Sequence, residues 1–252
     1  VFDSRVHDRR EIKRREGLTE IFAESVCRTI RTYLIQHSKG GAVRLLLVGS
    51  TGLVGQHVLD QALVDTRVAS IVAPIRGVPQ RMHPKLSSPQ VDYENLDQHA
   101  TWWQADAVIC TLGTTMRAAG SEAAFRRVDF DYPLTVARLA KARGTPTYVL
   151  NSAIGADASS RFFYNRVKGE LERALSAQGF VSLTLVRPGV IGGERQAFRL
   201  GERVMGTALS LFGPLLPRRW RLNPAMQIAG AMLAAALEAQ PGQHIIKAES
   251  LV

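Results

Sequence analysis

Residues 43–48 read VRLLLV, an apolar run of strand length that ends in glycine at position 49. After that glycine, Val54, Val58, Leu59 and Leu63 recur three to four residues apart, the spacing of one helix face. A second strand is predicted over residues 69–75 (ASIVAPI) and another over 106–112 (DAVICTL). Residues 121–142 carry a helical pattern, with Pro133 near the start of the helix proper or at a kink. Val149-Leu150-Asn151-Ser152 closes a further strand, RFFYNRVKGELE returns to helical spacing, and SLTLV reads as strand. Short apolar runs alternating with helices predict an α/β fold: a doubly wound parallel sheet with helices on both faces.

The two ends of the chain read differently. Residues 1–42 form a basic extension, in which RREIKRR is a solvated segment. A helix is expected over 18–37, because Leu18, Ile21, Phe22, Val26, Ile30, Tyr33 and Leu34 share one face between Thr19 and Lys39-Gly40-Gly41. Its apolar stripe needs cover from the main domain, a second subunit in a homodimer, or a membrane surface. Transit peptides avoid acids, and this segment holds six, so packing is the expectation. The rest, 43–252, is expected to be one nucleotide-binding domain that includes a small C-terminal substrate-binding region, about 197–252. There, Phe198, Leu200, Val204, Met205, Leu209, Leu211 and Phe212 suggest an amphipathic helix. The loop GPLLPRRWRLNP, a small-residue helix over 225–239 and a strand over 244–248 follow. Trp220 with its arginines suits an apolar pocket, though core packing explains the same residues.

Composition changes this picture little. The 252 residues are 46% hydrophobic and 21% charged, an ordinary globular balance. A net charge of +10 invites a nucleic-acid reading, but the excess is spread along the chain and no basic run is interleaved with aromatics. No nucleic-acid partner is expected. Cys27 and Cys110 are too few for a disulfide framework and fit a reducing compartment, so a cytoplasmic location is expected. Neither has a histidine at zinc-ligand spacing, and no metal is expected. No apolar run approaches the roughly 18 residues of a membrane span.

The first loop carries candidate chemistry. Gly49-Ser50-Thr51-Gly52-Leu53-Val54-Gly55 lies between strand and helix, where glycines and first-turn amides cradle a dinucleotide. Gly49 allows the tight turn, Gly52 lets backbone approach a pyrophosphate, and Gly55 lets the helix press close. An NAD site wants an acid at the end of the second strand, and an NADP site wants a cation for the 2′ phosphate. No acid lies between Val68 and Met82, while Arg76 stands 21 positions beyond Gly55, with Arg81 as a possible helper. NADP(H) is therefore expected over NAD(H). Leu112, Gly113 and Thr114 end a strand at the same crevice.

Ser152 stands at a strand end, Tyr164 twelve residues on, and Lys168 one helical turn beyond Tyr164. Tyr164 and Lys168 therefore share a helix face. A phenol is a poor base at neutral pH unless a cation stabilises the phenolate. The expectation is that Lys168 tunes Tyr164 and reaches the nicotinamide ribose, Tyr164 transfers the proton, and Ser152 hydrogen-bonds a carbonyl or alcohol.

With GSTGLVG, the Tyr164/Lys168 pair and Arg187-Pro188-Gly189-Val190 in this order, the chain resembles the extended or atypical short-chain dehydrogenases/reductases. More narrowly, CTLGTT, NSAIGADASSRFFYNRVKGELE and RPGVIGGERQ resemble the Tat-interactive-protein oxidoreductase family over roughly residues 43–235. The resemblance implies a Rossmann-like fold, NADP(H) at Gly49, Gly52, Gly55 and Arg76, and catalytic positions at Ser152, Tyr164 and Lys168. It also places Pro188, Gly189 and Val190 by the nicotinamide. Two departures stand out: the basic N-terminal helix, and a region after Arg195 too short for a full sugar-nucleotide domain. The expected function is NADP(H)-dependent hydride transfer on a small carbonyl or alcohol, with a non-catalytic NADP(H)-binding regulator or assembly factor as the alternative.

Overall fold

A computed structural model describes residues 41–79, 81–192 and 222–252. The expected helix over 18–37, Cys27, and the amphipathic segment with Trp220 lie outside the described residues. Everything described from residue 42 onward belongs to one compact unit.

Six strands pair in parallel around β1 (Val43–Val48) to make the N-terminal and central part of the sheet. These are β1, β2 (Val68–Val72), β3 (Leu86–Ser87), β4 (Ala107–Cys110), β5 (Thr147–Asn151) and β6 (Ser182–Arg187). The last strand of the sheet, β9 (Gly242–Lys247), lies beside β6, and the order is β3-β2-β1-β4-β5-β6-β9. Two short strands, β7 (Ile191–Gly192) and β8 (Asn223–Pro224), pair separately. The expected doubly wound, Rossmann-like sheet is present.

Alternation along the strands explains why both faces are covered. Leu45 and Leu47 of β1 point to one face, where α1 (Leu53–Val64) and α6 (Ala225–Glu238) supply Val58, Ala62, Ile228 and Met232. Leu46 and Val48 point to the other. That face is packed by α4 (Tyr132–Ala142) and α5 (Phe163–Ser176), through Leu134, Ala137, Leu171 and Leu175.

Several boundaries differ from the sequence pattern. β2 stops at Val72, and Ile75 makes only an isolated bridge to Gln90, because the proline at 74 has no N–H for a ladder. Residues 225–247, read as part of a substrate-binding region within the domain, are woven into the sheet: α6 packs on α1 and β9 extends the sheet. Between α3 (Glu122–Arg126) and α4 the helix widens into a π turn, Arg127–Asp131. Tyr132 N–H donates to Arg127 O, five residues back, and Pro133 has no N–H with which to restore the ordinary ladder. A four-residue helix, α2 (Met116–Ala119), precedes α3.

Candidate functional site

The glycine loop is built as its spacing suggests. Gly49 adopts φ +89°, and a Cβ there would meet Thr111 Oγ1 at 2.7 Å. At Gly55 a Cβ would lie 2.1 Å from Gly49 O, so helix and loop touch without a side chain between them. Gly52 is different: its only neighbour within 4 Å would be Gly49 O, at 3.4 Å. It caps α1 with no side-chain hydrogen bond, and the first turn contains no acid. The helix thus presents uncapped amides and a positive dipole end beside open space, the donor set a diphosphate requires. Ser50 is buried under the loop, while Leu53 and Val54 begin the helix and anchor it in the core. Thr111, which the sequence pattern did not single out, donates its hydroxyl to Val48 O and Gly49 O, both at 3.0 Å.

Arg76 follows β2 and is exposed. With Gln90, Val91 and Asp92 it lines a cavity of about 540 Å³, and its guanidinium makes no ion pair or hydrogen bond among the described residues. Arg81 is instead paired with Asp60 of α1. A second cavity of similar size, between residues 93–99 and the start of α4, holds none of the expected site residues.

Tyr164 and Lys168 leave the first turns of α5, and Lys168 reaches Gly113. The Tyr164 ring leans on the buried Phe125 ring, centroids 5.7 Å apart, and the residue keeps 39% of its surface exposed. Lys168 is 3% exposed, and its Nζ lies 2.7 Å from Asp129 Oδ1. Asp129, 1% exposed, comes from the π turn and accepts a second contact at Oδ2 from Thr114 N–H, at 2.8 Å. A Cβ on Gly113 would stand 3.3 Å from Asp129 Oδ1 and 3.8 Å from Lys168 Nζ. Gly113 and Thr114, expected as cofactor contacts, thus border the Lys168–Asp129 pair.

Asp129 alters the electrostatics expected at Tyr164. Burial pushes the Lys168 ammonium down, but the Asp129 carboxylate, with Tyr164, overrides it and the net direction is up. Burial pushes the Tyr164 phenol up, Lys168 pulls it down and Asp129 pushes it up again; the balance is upward. The sequence pattern did not single out Asp129, although it lies four residues after the buried Phe125.

Ser152 sits under the same helix but faces a different partner. It is buried, and its Oγ donates to Glu172 Oε1 at 2.5 Å. Glu172 is also held by Arg187, whose Nε donates to Oε1 at 3.0 Å. The hydroxyl proton expected to meet substrate is therefore engaged inside the protein. Gly169 lets the loop after β5 press on α5, since a Cβ there would lie 2.2 Å from Ala158 N. At the end of β6, Gly189 N–H donates to the side chain of buried Asn223 at 2.6 Å. Asn223 N–H donates in turn to Val190 O, and its Nδ2 to Ala248 O. Pro188, Gly189 and Val190 are thereby fixed to β8 and the C-terminal turn.

No protein-family profile matches the chain. Curated proteins do. It is 35% identical to "Protein fmp52, mitochondrial" of Aspergillus niger over 210 residues, 78% of this chain and 88% of the relative. It is 35% identical to "Protein HTATIP2" of Rattus norvegicus over 206 residues, 79% and 83% of the two chains. The chain belongs to the FMP52/HTATIP2 family. Among solved structures, MoeE5 in complex with UDP-glucuronic acid and NAD shares the fold at a TM-score of 0.62, with 14% identity over 80% of this chain and 75% of that one. WbmH of Bordetella bronchiseptica, in complex with NAD+, gives 0.60 with 14% identity over 82% and 76%.

Membership corrects one expectation. The fungal relatives are named as mitochondrial proteins, which overturns the cytoplasmic location read from cysteine count. Few cysteines mark a reducing environment, and composition does not separate one such compartment from another. Among the described residues no helix is long and apolar enough to cross a membrane.

Proposed function

We propose that this FMP52/HTATIP2-family chain is an NADP(H)-dependent oxidoreductase acting on a small carbonyl or alcohol, in a mitochondrial setting like that named for its fungal relatives. The observation that carries the reading is the joining, on one sheet edge, of an uncapped glycine loop to a half-exposed phenol beside a buried ammonium.

The amides from Leu53 to Gly55 would take the diphosphate, with Ser50 and Thr51 shaping the turn. Arg76, without an ion-pair partner among the described residues, supports the 2′ phosphate and hence NADP(H) over NAD(H). Leu112, Gly113, Thr114 and the fixed turn Pro188–Val190 would flank the nicotinamide end. When bound, the dinucleotide supplies or accepts hydride at the substrate carbon. Tyr164 Oη gives a proton to the carbonyl oxygen in reduction and takes it from the alcohol in oxidation. Exposure of Tyr164 lets solvent restore that proton. Lys168 holds a positive charge near the phenol and the ribose.

A second reading, a cofactor-responsive binding protein, is favoured by Ser152. With its proton on Glu172, the third member of the expected catalytic set is occupied. Titration of the purified chain with NADPH and NADH, followed by a carbonyl screen with Tyr164→Phe as control, separates the readings. Selective NADPH binding with turnover lost in Tyr164→Phe supports the oxidoreductase. Binding without turnover on any carbonyl favours the second reading, and no binding of either nucleotide overturns both.

A further inference from the structure

A buried ion pair needs a reason. Removing two charges from water is costly, and an apolar pair of similar volume would hold the fold as well or better. Lys168 and Asp129 are both almost fully buried, and Asp129 enters from the one π turn among the described residues. The carboxylate does two further things: Oδ2 accepts Thr114 N–H, and Oδ1 borders Gly113. The pair therefore ties α5 to the strand end that lines the crevice, and it stands beside Tyr164.

We propose that Asp129 is a positioning residue: its carboxylate fixes the Lys168 ammonium against the β4 loop and offsets its charge beside Tyr164, whose phenol serves as the proton donor to a carbonyl oxygen. This rests on the acid/base reading of Tyr164 given above. In the step served, the substrate carbon gains hydride from a reduced nicotinamide dinucleotide and its oxygen gains the Tyr164 proton. Alcohol and oxidised dinucleotide result, and the phenolate is reprotonated from water.

The groups facing this centre are few. Tyr164 meets Lys168 from its own helix, Asp129 from the π turn and the apolar ring of Phe125. Lys168 meets Asp129, Tyr164 and, from β4, Cys110. The upward direction for the phenol comes first from burial, and Asp129 offsets part of the downward pull of Lys168.

The test reads Tyr164 directly and needs no substrate. Tyrosinate absorbance is followed against pH in the full chain, and the Tyr164→Phe curve is subtracted to isolate Tyr164. Asp129→Asn should lower the Tyr164 midpoint, because Lys168 then acts unopposed, and Asp129→Glu should return it toward wild type. An unchanged or higher midpoint in folded Asp129→Asn overturns the proposal. If that variant does not fold, Asp129→Asn/Lys168→Met, with both buried charges gone, replaces it. Its midpoint should lie close to wild type, since the two charges largely offset one another at Tyr164, and a midpoint well above wild type overturns the proposal. Failure of nucleotide binding would sink the oxidoreductase reading and leave this titration standing.

Discussion

Ser152 Oγ donates to Glu172 Oε1, two helical turns along α5 from Tyr164 and about 12 Å along the axis. Tyr164, Lys168 and Glu172 share one face at four-residue steps, so the helix carries a reacting end and an anchoring end. Glu172 joins Ser152 to Arg187 and thereby binds the ends of β5 and β6 together. On this arrangement Ser152 is expected to serve the anchor. Ser152→Ala should lower Tm by an amount equivalent to about 1–2 kcal/mol, the loss of a charge-assisted hydrogen bond, while NADPH affinity stays constant. A drop in turnover with Tm unchanged would return Ser152 to the substrate.

Arg76 lines a cavity, and its guanidinium has no ion-pair partner among the described residues. Replacing it with alanine should weaken NADPH by about tenfold or more, the loss of a charged hydrogen bond, and leave NADH nearly unchanged. Fluorescence titration with both nucleotides checks this; equal losses would detach Arg76 from the 2′ phosphate.

Gly52 and Gly55 should part company on mutation. Gly55→Ala forces a Cβ into Gly49 O and should cost about 1–3 kcal/mol or more in thermal or urea unfolding. Gly52→Ala meets only a 3.4 Å contact and should fold with near-normal Tm, yet bind NADPH poorly because its methyl enters the space above the loop. Tight NADPH binding by Gly52→Ala would place the diphosphate elsewhere.

Tyr164→Phe removes the hydroxyl and keeps the ring on Phe125. NADPH affinity should hold, while turnover of any substrate found falls by about 100-fold or more. Steady-state kinetics with the two forms in parallel provides the check.

Lys168 titrates above its ordinary value of 10.5 in the folded protein, since Asp129 and Tyr164 outweigh burial. A raised value means the folded state holds this proton more tightly. The resulting stability is complete below pH 10.5 and is lost as pH climbs through the folded value. Melting curves from about pH 9 to about pH 12 should therefore fall more steeply for wild type than for Lys168→Met. Parallel curves would mean the pair contributes nothing to alkaline stability.

The first half of the domain was largely legible because local pattern and tertiary role coincide there. VRLLLV has buried residues on both faces, and Gly52 and Gly55 both answer to Gly49 O within the same loop. Asp129 and Glu172 were not legible, since a charge on an apolar face acquires meaning only from its partner, here Lys168 and Arg187. Local pattern found the small-residue helix and terminal strand after residue 224. It could not say that they cover α1 and pair with β6, because those partners lie far away in sequence. Arg76 was found by a missing acid, which is a local fact, whereas the Asp60 partner of Arg81 was not.

The place of α6 and β9 also governs how this protein is made. Residues 225–247 close the face over α1 and cover the open edge of β6, yet they are made after every other strand of the sheet. Until they emerge, a nascent chain carries Val58, Ala62 and the β6 edge uncovered, however well its glycine loop has formed. Closure of the sheet domain thus waits on elements far along the chain, and a chain lacking them exposes apolar surface and an unpaired strand edge of the kind that aggregates.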